Sequence, residues 1–232
     1  GLFLAICSYI LFAILGLTIV RPFFSMQSDI AEVVNYGEEY LTVILLCGFG
    51  IFGEITNERL LQATGRTVYS MITQGTGAVL NIILDPIMIF GYCGMPALGV
   101  KGAAIATVIG QCVAFILALI FNIKVNKEVN IRISKIFKPQ LQEIIKIYEI
   151  GIPSIIMTSI TSFLTVGMNL ILKKFSEDAI TVFGVYFKLN SFVFMPVFGL
   201  NNGMVPILSY NYGAKKHDRI IKTVRLGMSC AV

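Results

Sequence analysis

Charged side chains are scarce in this sequence. Asp, Glu, Lys and Arg together make up 13% of the 232 residues, whereas hydrophobic residues make up 56%. A soluble domain carries about 25% charged residues, so this chain has too little charge to cover the surface of a water-soluble globule. We therefore expect lipid as its surroundings, and the length allows about six membrane spans of ~20 apolar residues.

The side chains that most metal and redox sites need are also rare. The chain has one histidine, and its five cysteines show no C-x-x-C spacing. Neither H-E-x-x-H nor D-D-x-x-D occurs, so zinc proteolysis and metal-dependent prenyl transfer lack their ligands. We interpret the cysteines as small packing residues and expect no enzyme activity, no cofactor and no structural metal. The net charge of +5 does not by itself indicate nucleic acid, and we expect no such partner.

Long apolar runs are abundant. Every backbone polar group in lipid needs a partner within its own segment, which predicts a helix for each run. The fold class expected is an all-α, polytopic membrane helical bundle. The chain begins without Met, lacks the basic start of a signal peptide and ends as a new apolar run begins, so we expect a fragment of a longer membrane protein. The six complete runs lie at about 2–24, 40–61, 67–91, 103–124, 145–172 and 180–210.

Lys and Arg residues concentrate in alternate connections between the predicted spans. Thirteen of the 18 lie in three such connections, which the positive-inside rule predicts to be cytoplasmic. The longest connection, residues 125–145, is interpreted as a basic cytoplasmic linker. It divides a first part with four helices, residues 1–124, from a second part with two helices and the beginning of a third, residues 146–232.

Asp85 is a carboxylate with apolar residues closely flanking it on both sides. Asp85 occurs in the stretch NIILDPIMIF, and ionisable residues within membrane spans are usually functional. The alternative is a structural Asp that is hydrogen-bonded to a neighbouring helix. Asn81 lies one helical turn earlier on the same face. Pro86 removes a backbone donor, so we expect the helix to be bent or interrupted beside the acid.

Five short stretches, in this order along the chain, together resemble the multidrug and toxic compound extrusion (MATE) transporters. They are LLQATGR (60–66), NIILDP (81–86), GVKGAAIATVIGQ (99–111), IGIPS (150–154) and NYGAKKHDR (211–219). The resemblance implies a twelve-helix protein with two lobes, of which this chain would supply roughly helices three to eight. The missing helices of its own full-length chain would be its partners, in a plasma membrane that we expect to be bacterial.

The resemblance also implies a cation-coupling site. Members of the family use an Asn and an Asp one turn apart on the fifth helix, which Asn81 and Asp85 match, and a Thr on the sixth, for which Thr107 is the best match. It implies exchange of H+ or Na+ at Asp85 for an amphipathic small-molecule substrate. The run 150–172 contains no acid, so a second-lobe sodium site on the seventh helix is not expected.

Four further residues are candidates for a substrate cavity. Lys188 either faces a cavity, pairs with a carboxylate elsewhere in the whole protein, or extends partly towards the membrane surface. Gln74 and Gln111 either line a cavity or bridge helices. Met195 belongs to a span rich in Met and Phe, whose adaptable apolar side chains suit a promiscuous cavity. Glu54 and Glu58, near the end of the run 40–61, which would be the fourth helix of the twelve, are interpreted as interfacial charge.

Two functions follow for the whole protein. One is an antiporter that exports drugs or other amphipathic organic compounds. The alternative is a flippase for lipid-linked saccharides of the same broad superfamily, whose cavity would carry several Lys or Arg residues for pyrophosphate. Only Lys188 lies deep within a predicted span, which favours the exporter.

The charge distribution predicts the orientation of the chain. Cysteines introduced at Ser28 and at Ser134 should be labelled from opposite sides of the membrane in whole cells. Labelling of both positions by a membrane-impermeant reagent would contradict the predicted topology.

Overall fold

Helices dominate the fold. The computed structural model describes residues 1–126, 128 and 140–231, and no strand occurs within them. A single 3-10 turn, Tyr92–Gly94, follows the fifth helix. The all-α prediction is confirmed. The helices are α1 (Leu2–Thr18), α2 (Val20–Gln27), α3 (Ala31–Leu46), α4 (Phe49–Ala63), α5 (Thr67–Phe90), α6 (Gly99–Lys124), α7 (Leu141–Lys173), α8 (Glu177–Gly213) and α9 (His217–Ala231).

Membrane spans arise from these helices in two ways. By length and composition, α5, α6, α7 and α8 each suffice to cross a bilayer. The pair α1 and α2 is bent by 59°, and the pair α3 and α4 by 53°. With each bent pair counted as one span, the described chain has six, in agreement with the six apolar runs. Helix α7 begins at Leu141, inside the predicted linker 125–145, most of which lies outside the described residues.

Prolines inside the apolar runs do not interrupt the helices that contain them. Helix α5 continues through Pro86, and α8 continues through Pro196 and Pro206. The interruption expected beside Asp85 is therefore absent. The C-terminal end of α5 is held against the start of α6, because Leu98 N donates to Met88 O at 3.0 Å.

A proline, Pro22, lies just after the observed break between α1 and α2. Pro22 lies in the first turn of α2, where a missing N–H is tolerated. Its ring would clash with the carbonyl four residues back, which belongs to Thr18, the last residue of α1. Pro22 therefore accounts for the end of α1 at this position.

Helix α6 is the centre of the packing in the first part of the chain. Its Ala104, Ala106, Ala114 and Ala118 are completely buried. Small residues let membrane helices approach closely, and one such close approach joins Gly110 of α6 to Gly77 of α5. A Cβ atom on Gly110 would lie 2.8 Å from Gly77 O, so the two backbones are in contact there.

The second part of the chain is far more exposed. No residue is buried in the apolar windows of α7 and α8. Two polar contacts connect the end of α7 to the α2–α3 connection: Lys173 Nζ lies 2.8 Å from Asp29 Oδ1, and Asn169 Nδ2 donates to Gln27 Oε1 at 3.1 Å.

The structure refines the labelling experiment. Ser28 is 8% exposed, so a reagent would reach it poorly. Glu32, on the exposed first turn of α3, is the better position on that side. Ser134 lies outside the described residues.

The contact between α5 and α6 generates a stability prediction. Gly110→Ala should force the helices apart and destabilise the complete protein by about 1–3 kcal/mol, seen as a lower thermal midpoint in detergent. Gly75→Ala is the matched control on α5, because a Cβ atom there would meet no atom within 4 Å. An unchanged midpoint for Gly110→Ala would show that the observed contact is not tight.

Candidate functional site

A groove between α4, α5 and α6 is lined by six polar or charged side chains. Its volume is about 350 Å³. Small and branched apolar residues complete its walls. The polar and charged residues that line it are Glu54, Glu58, Gln74, Asn81, Thr107 and Gln111.

At one end of the groove, Asn81 connects the predicted carboxylate to α6. Asn81 Nδ2 donates to Asp85 Oδ1 at 3.1 Å and lies 3.3 Å from Thr107 Oγ1. Thr107 Oγ1 in turn donates to Ala103 O at 2.9 Å, which leaves its oxygen free to accept from Asn81. The structure thus brings together all three residues predicted for cation coupling.

Local structure explains how the three residues meet. Asn81 and Asp85 are one turn apart on α5 and share a face. Gly91, in the left-handed conformation at φ 76°, ends α5 and lets the chain turn back into α6. The Gly77–Gly110 contact then brings the backbones close enough for the Asn81 amide to reach the Thr107 hydroxyl.

Asp85 has no basic partner in the described part of the chain. None of the ion pairs there includes it. Its one identified side-chain partner is the neutral Asn81 amide. A carboxylate in an apolar span with only neutral donors is suited to binding a proton or a cation.

At the other end of the groove lies Glu58, which the sequence pattern predicts to be an interfacial charge. Glu58 is 4% exposed and accepts a hydrogen bond from Gln74 Nε2 at 2.7 Å. Thr73 Oγ1 lies 3.3 Å from its other carboxylate oxygen. The expectation of interfacial charge is wrong for Glu58, because its side chain is enclosed between α4 and α5.

The neighbouring arginine does not neutralise Glu58. Arg59 Nη1 donates instead to Gln62 Oε1 at 2.8 Å, and no ion pair of the described residues includes Glu58. The spacing of Glu54 and Glu58, one helical turn apart, was the only sequence signal for this acidic face. Sequence alone did not reveal that α5 covers it.

The two glutamines both line the groove but differ in their hydrogen bonds. Gln74 both lines the groove and bridges α5 to α4 through Glu58. Gln111 lines the groove from α6, and its Oε1 atom is buried without a hydrogen-bond partner. Both residues belong to the same polar surface as Asn81 and Thr107.

Lys188 and Met195 lie elsewhere. Both are on exposed stretches of α8, and Met195 is 68% exposed. Neither lines the groove. Their assignment to a substrate cavity stays a prediction that depends on the complete protein.

The sequence profile of the MatE family matches residues 1–87 and 153–232. The matched residues include Asn81 and Asp85 but not Thr107. The multidrug export protein MepA of Staphylococcus aureus is 32% identical over 209 residues, covering 87% of this chain and 45% of that protein. MepA of Staphylococcus haemolyticus is 31% identical over 219 residues, covering 94% of this chain and 47% of that protein. The chain thus spans about half the length of the curated relatives it matches.

Solved structures of MATE transporters are also similar to this chain, again over about half of their own length. The MATE multidrug transporter DinF-BH has a TM-score of 0.85 and 30% identity, covering 98% of this chain and 50% of that one. An outward-facing MATE transporter of the MOP superfamily has a TM-score of 0.72 at 24% identity, which shows the fold alone. The Staphylococcus relatives support a bacterial origin. The family match covers well over half of the chain, and the chain therefore belongs to the MatE family of integral plasma-membrane proteins.

Proposed function

We propose that this chain supplies the middle helices of an antiporter that exports amphipathic organic compounds in exchange for H+ or Na+. The observation that carries the proposal is the Asn81–Asp85–Thr107 cluster, in which a carboxylate of an apolar span meets only neutral partners. Because the chain spans about half the length of its relatives, transport belongs to the complete protein. The printed names of MepA and DinF-BH, a multidrug exporter and a multidrug transporter, support this substrate class.

The cluster supports charge exchange at Asp85. An ionised carboxylate in lipid costs several kcal/mol unless it is paired or hydrated, and a bound proton or cation removes most of that cost. The Asn81 amide holds one carboxylate oxygen in place and leaves the other for the ion. Export is coupled when the loaded and unloaded forms favour different conformations, because a ligand shifts an equilibrium only by its differential affinity.

The orientation of the Asn81 amide bears on how each coupling ion would bind. Its nitrogen, not its oxygen, faces both Asp85 and Thr107. A sodium ion takes oxygen ligands, so sodium binding among these residues requires the amide to rotate. A proton on the outer oxygen of Asp85 requires no rearrangement.

The division of the chain supports alternating access. We propose that residues 1–124 belong to the first lobe, 125–145 to a cytoplasmic linker and 146–232 to the second lobe. The Lys173–Asp29 and Asn169–Gln27 contacts then join the two lobes at one side of the membrane. Such polar contacts between lobes must break when the cavity opens to that side.

The flippase alternative finds less support. No Lys or Arg lines the groove between α4, α5 and α6. Pyrophosphate recognition would require such groups, whereas carboxylates and amides suit cations. Enzyme activity is likewise not proposed, since the MatE family consists of transporters.

Removal of the Asp85 charge is the direct test of the proposed ion coupling. In the complete protein, reconstituted in proteoliposomes, Asp85→Asn should preserve folding and insertion but abolish ion-driven export. Glu143→Gln is the control, because Glu143 is exposed and its pairing with Lys146 is worth little. An Asp85→Asn protein with the normal rate and the normal dependence on the ion gradient would make the carboxylate structural.

Removal of the Asn81 amide should have a smaller effect. Asn81→Ala loses the hydrogen bond that orients Asp85 but keeps the ionisable group, so the initial rate should fall without reaching zero. The measurement is the same efflux assay, repeated with a pH gradient alone and with a sodium gradient alone. A loss as complete as that of Asp85→Asn would mean that Asn81 itself holds the ion.

Substrate class is tested in cells. Expression of the complete protein should lower the accumulation of a fluorescent organic cation such as ethidium. Unchanged dye accumulation, together with movement of lipid-linked saccharide across the membrane, would favour the flippase.

A further inference from the structure

Glu58 is a buried carboxylate that the exchange at Asp85 does not use. It lies within a membrane-spanning helix pair, is 4% exposed, and is held by Gln74 and Thr73, both neutral. Burial of a carboxylate without a basic partner is costly. A residue kept in this state is therefore a candidate for ion binding.

The groove joins Glu58 to the cluster around Asp85. Gln74, Asn81 and Asp85 are spaced by seven and four residues, so they lie along one face of α5. The eleven residues from Gln74 to Asp85 extend about 16 Å along the helix. Glu58 and Gln74 line one end of the 350 Å³ groove and Asn81 and Thr107 line the other, so polar atoms occur along its length.

Gln111, on the opposite wall, carries an acceptor atom that has no hydrogen-bond partner among the described residues. Gln111 Oε1 is buried and has no hydrogen-bond partner, although Gln111 lines the same groove. An unsatisfied buried acceptor costs about 1–3 kcal/mol. An amide oxygen can only accept, so the group that satisfies it must be a hydrogen-bond donor or a cation.

The titratable groups around Glu58 favour a positive ligand. Glu54 lies one turn earlier on α4 and lines the groove. Cys112 of α6 contacts the backbone of α4 near Gly50 and is neutral as a thiol. Arg59 is turned towards Gln62, and α5 presents only the amide and hydroxyl of Gln74 and Thr73. Among the described residues, no basic side chain lines the groove.

From this geometry we propose that Glu58 is a second ion-binding carboxylate of the exporter. It receives the coupling ion, a proton or a monovalent metal cation, that has left Asp85, and releases it at the end of the groove towards the α4–α5 connection, which is one of the three connections rich in Lys and Arg that are predicted to be cytoplasmic. For a proton, the O–H bond at Asp85 breaks as a water molecule in the groove accepts the proton, and the resulting hydronium donates it to the Glu58 carboxylate, where a new O–H bond forms. That bond breaks in turn when a water molecule on the inner side accepts the proton. The inference rests on the proposed function.

The test compares two substitutions of Glu58 in the complete protein. Glu58→Gln keeps the shape and the hydrogen bonds to Gln74 and Thr73 but loses the charge, and should lower ion-driven efflux of ethidium about tenfold. Glu58→Asp keeps the ionisable group and should retain more transport than Glu58→Gln. Ethidium binding to the detergent-solubilised protein should stay within about twofold in both variants. A pH gradient alone and a sodium gradient alone distinguish the two ions.

The outcomes separate this inference from the proposed function. Normal efflux in Glu58→Gln, with no efflux in Asp85→Asn, would overturn the role of Glu58 and leave the exporter intact. Normal ion dependence in both Glu58→Gln and Asp85→Asn would overturn the coupling role proposed for Asp85 and the inference together. Better transport in Glu58→Gln than in Glu58→Asp would assign Glu58 a structural role, because the hydrogen bonds would then matter more than the charge. Glu143→Gln should behave as the parent protein in every arm.

Discussion

The backbone contact between α5 and α6 determines the geometry of the whole groove. Gly77 and Gly110 allow the two helices to touch, and a single Cβ atom on Gly110 would meet the Gly77 carbonyl oxygen at 2.8 Å. Asn81 lies one turn beyond Gly77, and Thr107 lies three residues before Gly110. The hydrogen bond between their side chains therefore depends on two residues that have no side chain. Close packing of small residues here serves the placement of polar groups as well as helix association.

Polar groups are costly in lipid, and two carboxylates of this bundle have the same kind of hydrogen-bond partner. Asp85 receives a hydrogen bond from Asn81, and Glu58 receives one from Gln74. In both cases the donor is a neutral amide and, among the described residues, no basic side chain completes an ion pair. A permanent salt bridge would fix the charge, whereas an amide partner leaves the carboxylate able to gain and lose a positive ion. This distinction links the hydrogen-bond pattern to the proposed exchange.

The two parts of the chain differ in how completely they are packed. Helix α6 buries a row of alanines between its neighbours, while α7 and α8 bury no residue in their apolar windows. The chain corresponds to about half of DinF-BH, so the other helices of such a relative have no counterpart in the described residues. This difference explains why the groove of the first part is well defined, and why Lys188 and Met195 of α8 have no assigned surroundings.

The sequence by itself determined the membrane helices, the face shared by Asn81 and Asp85, and the family. These follow from run length, from the 3.6-residue helical period and from short motifs, all of which are local in the chain. Only the tertiary structure decided that Gln74, Gln111 and Glu58 share one groove, because the spacing of residues fixes a helix face but not the helix that covers it. The same limit applies to the helix breaks: a proline shows where a hydrogen bond is missing, but packing decides whether the helix continues, as at Pro86, or ends, as before Pro22.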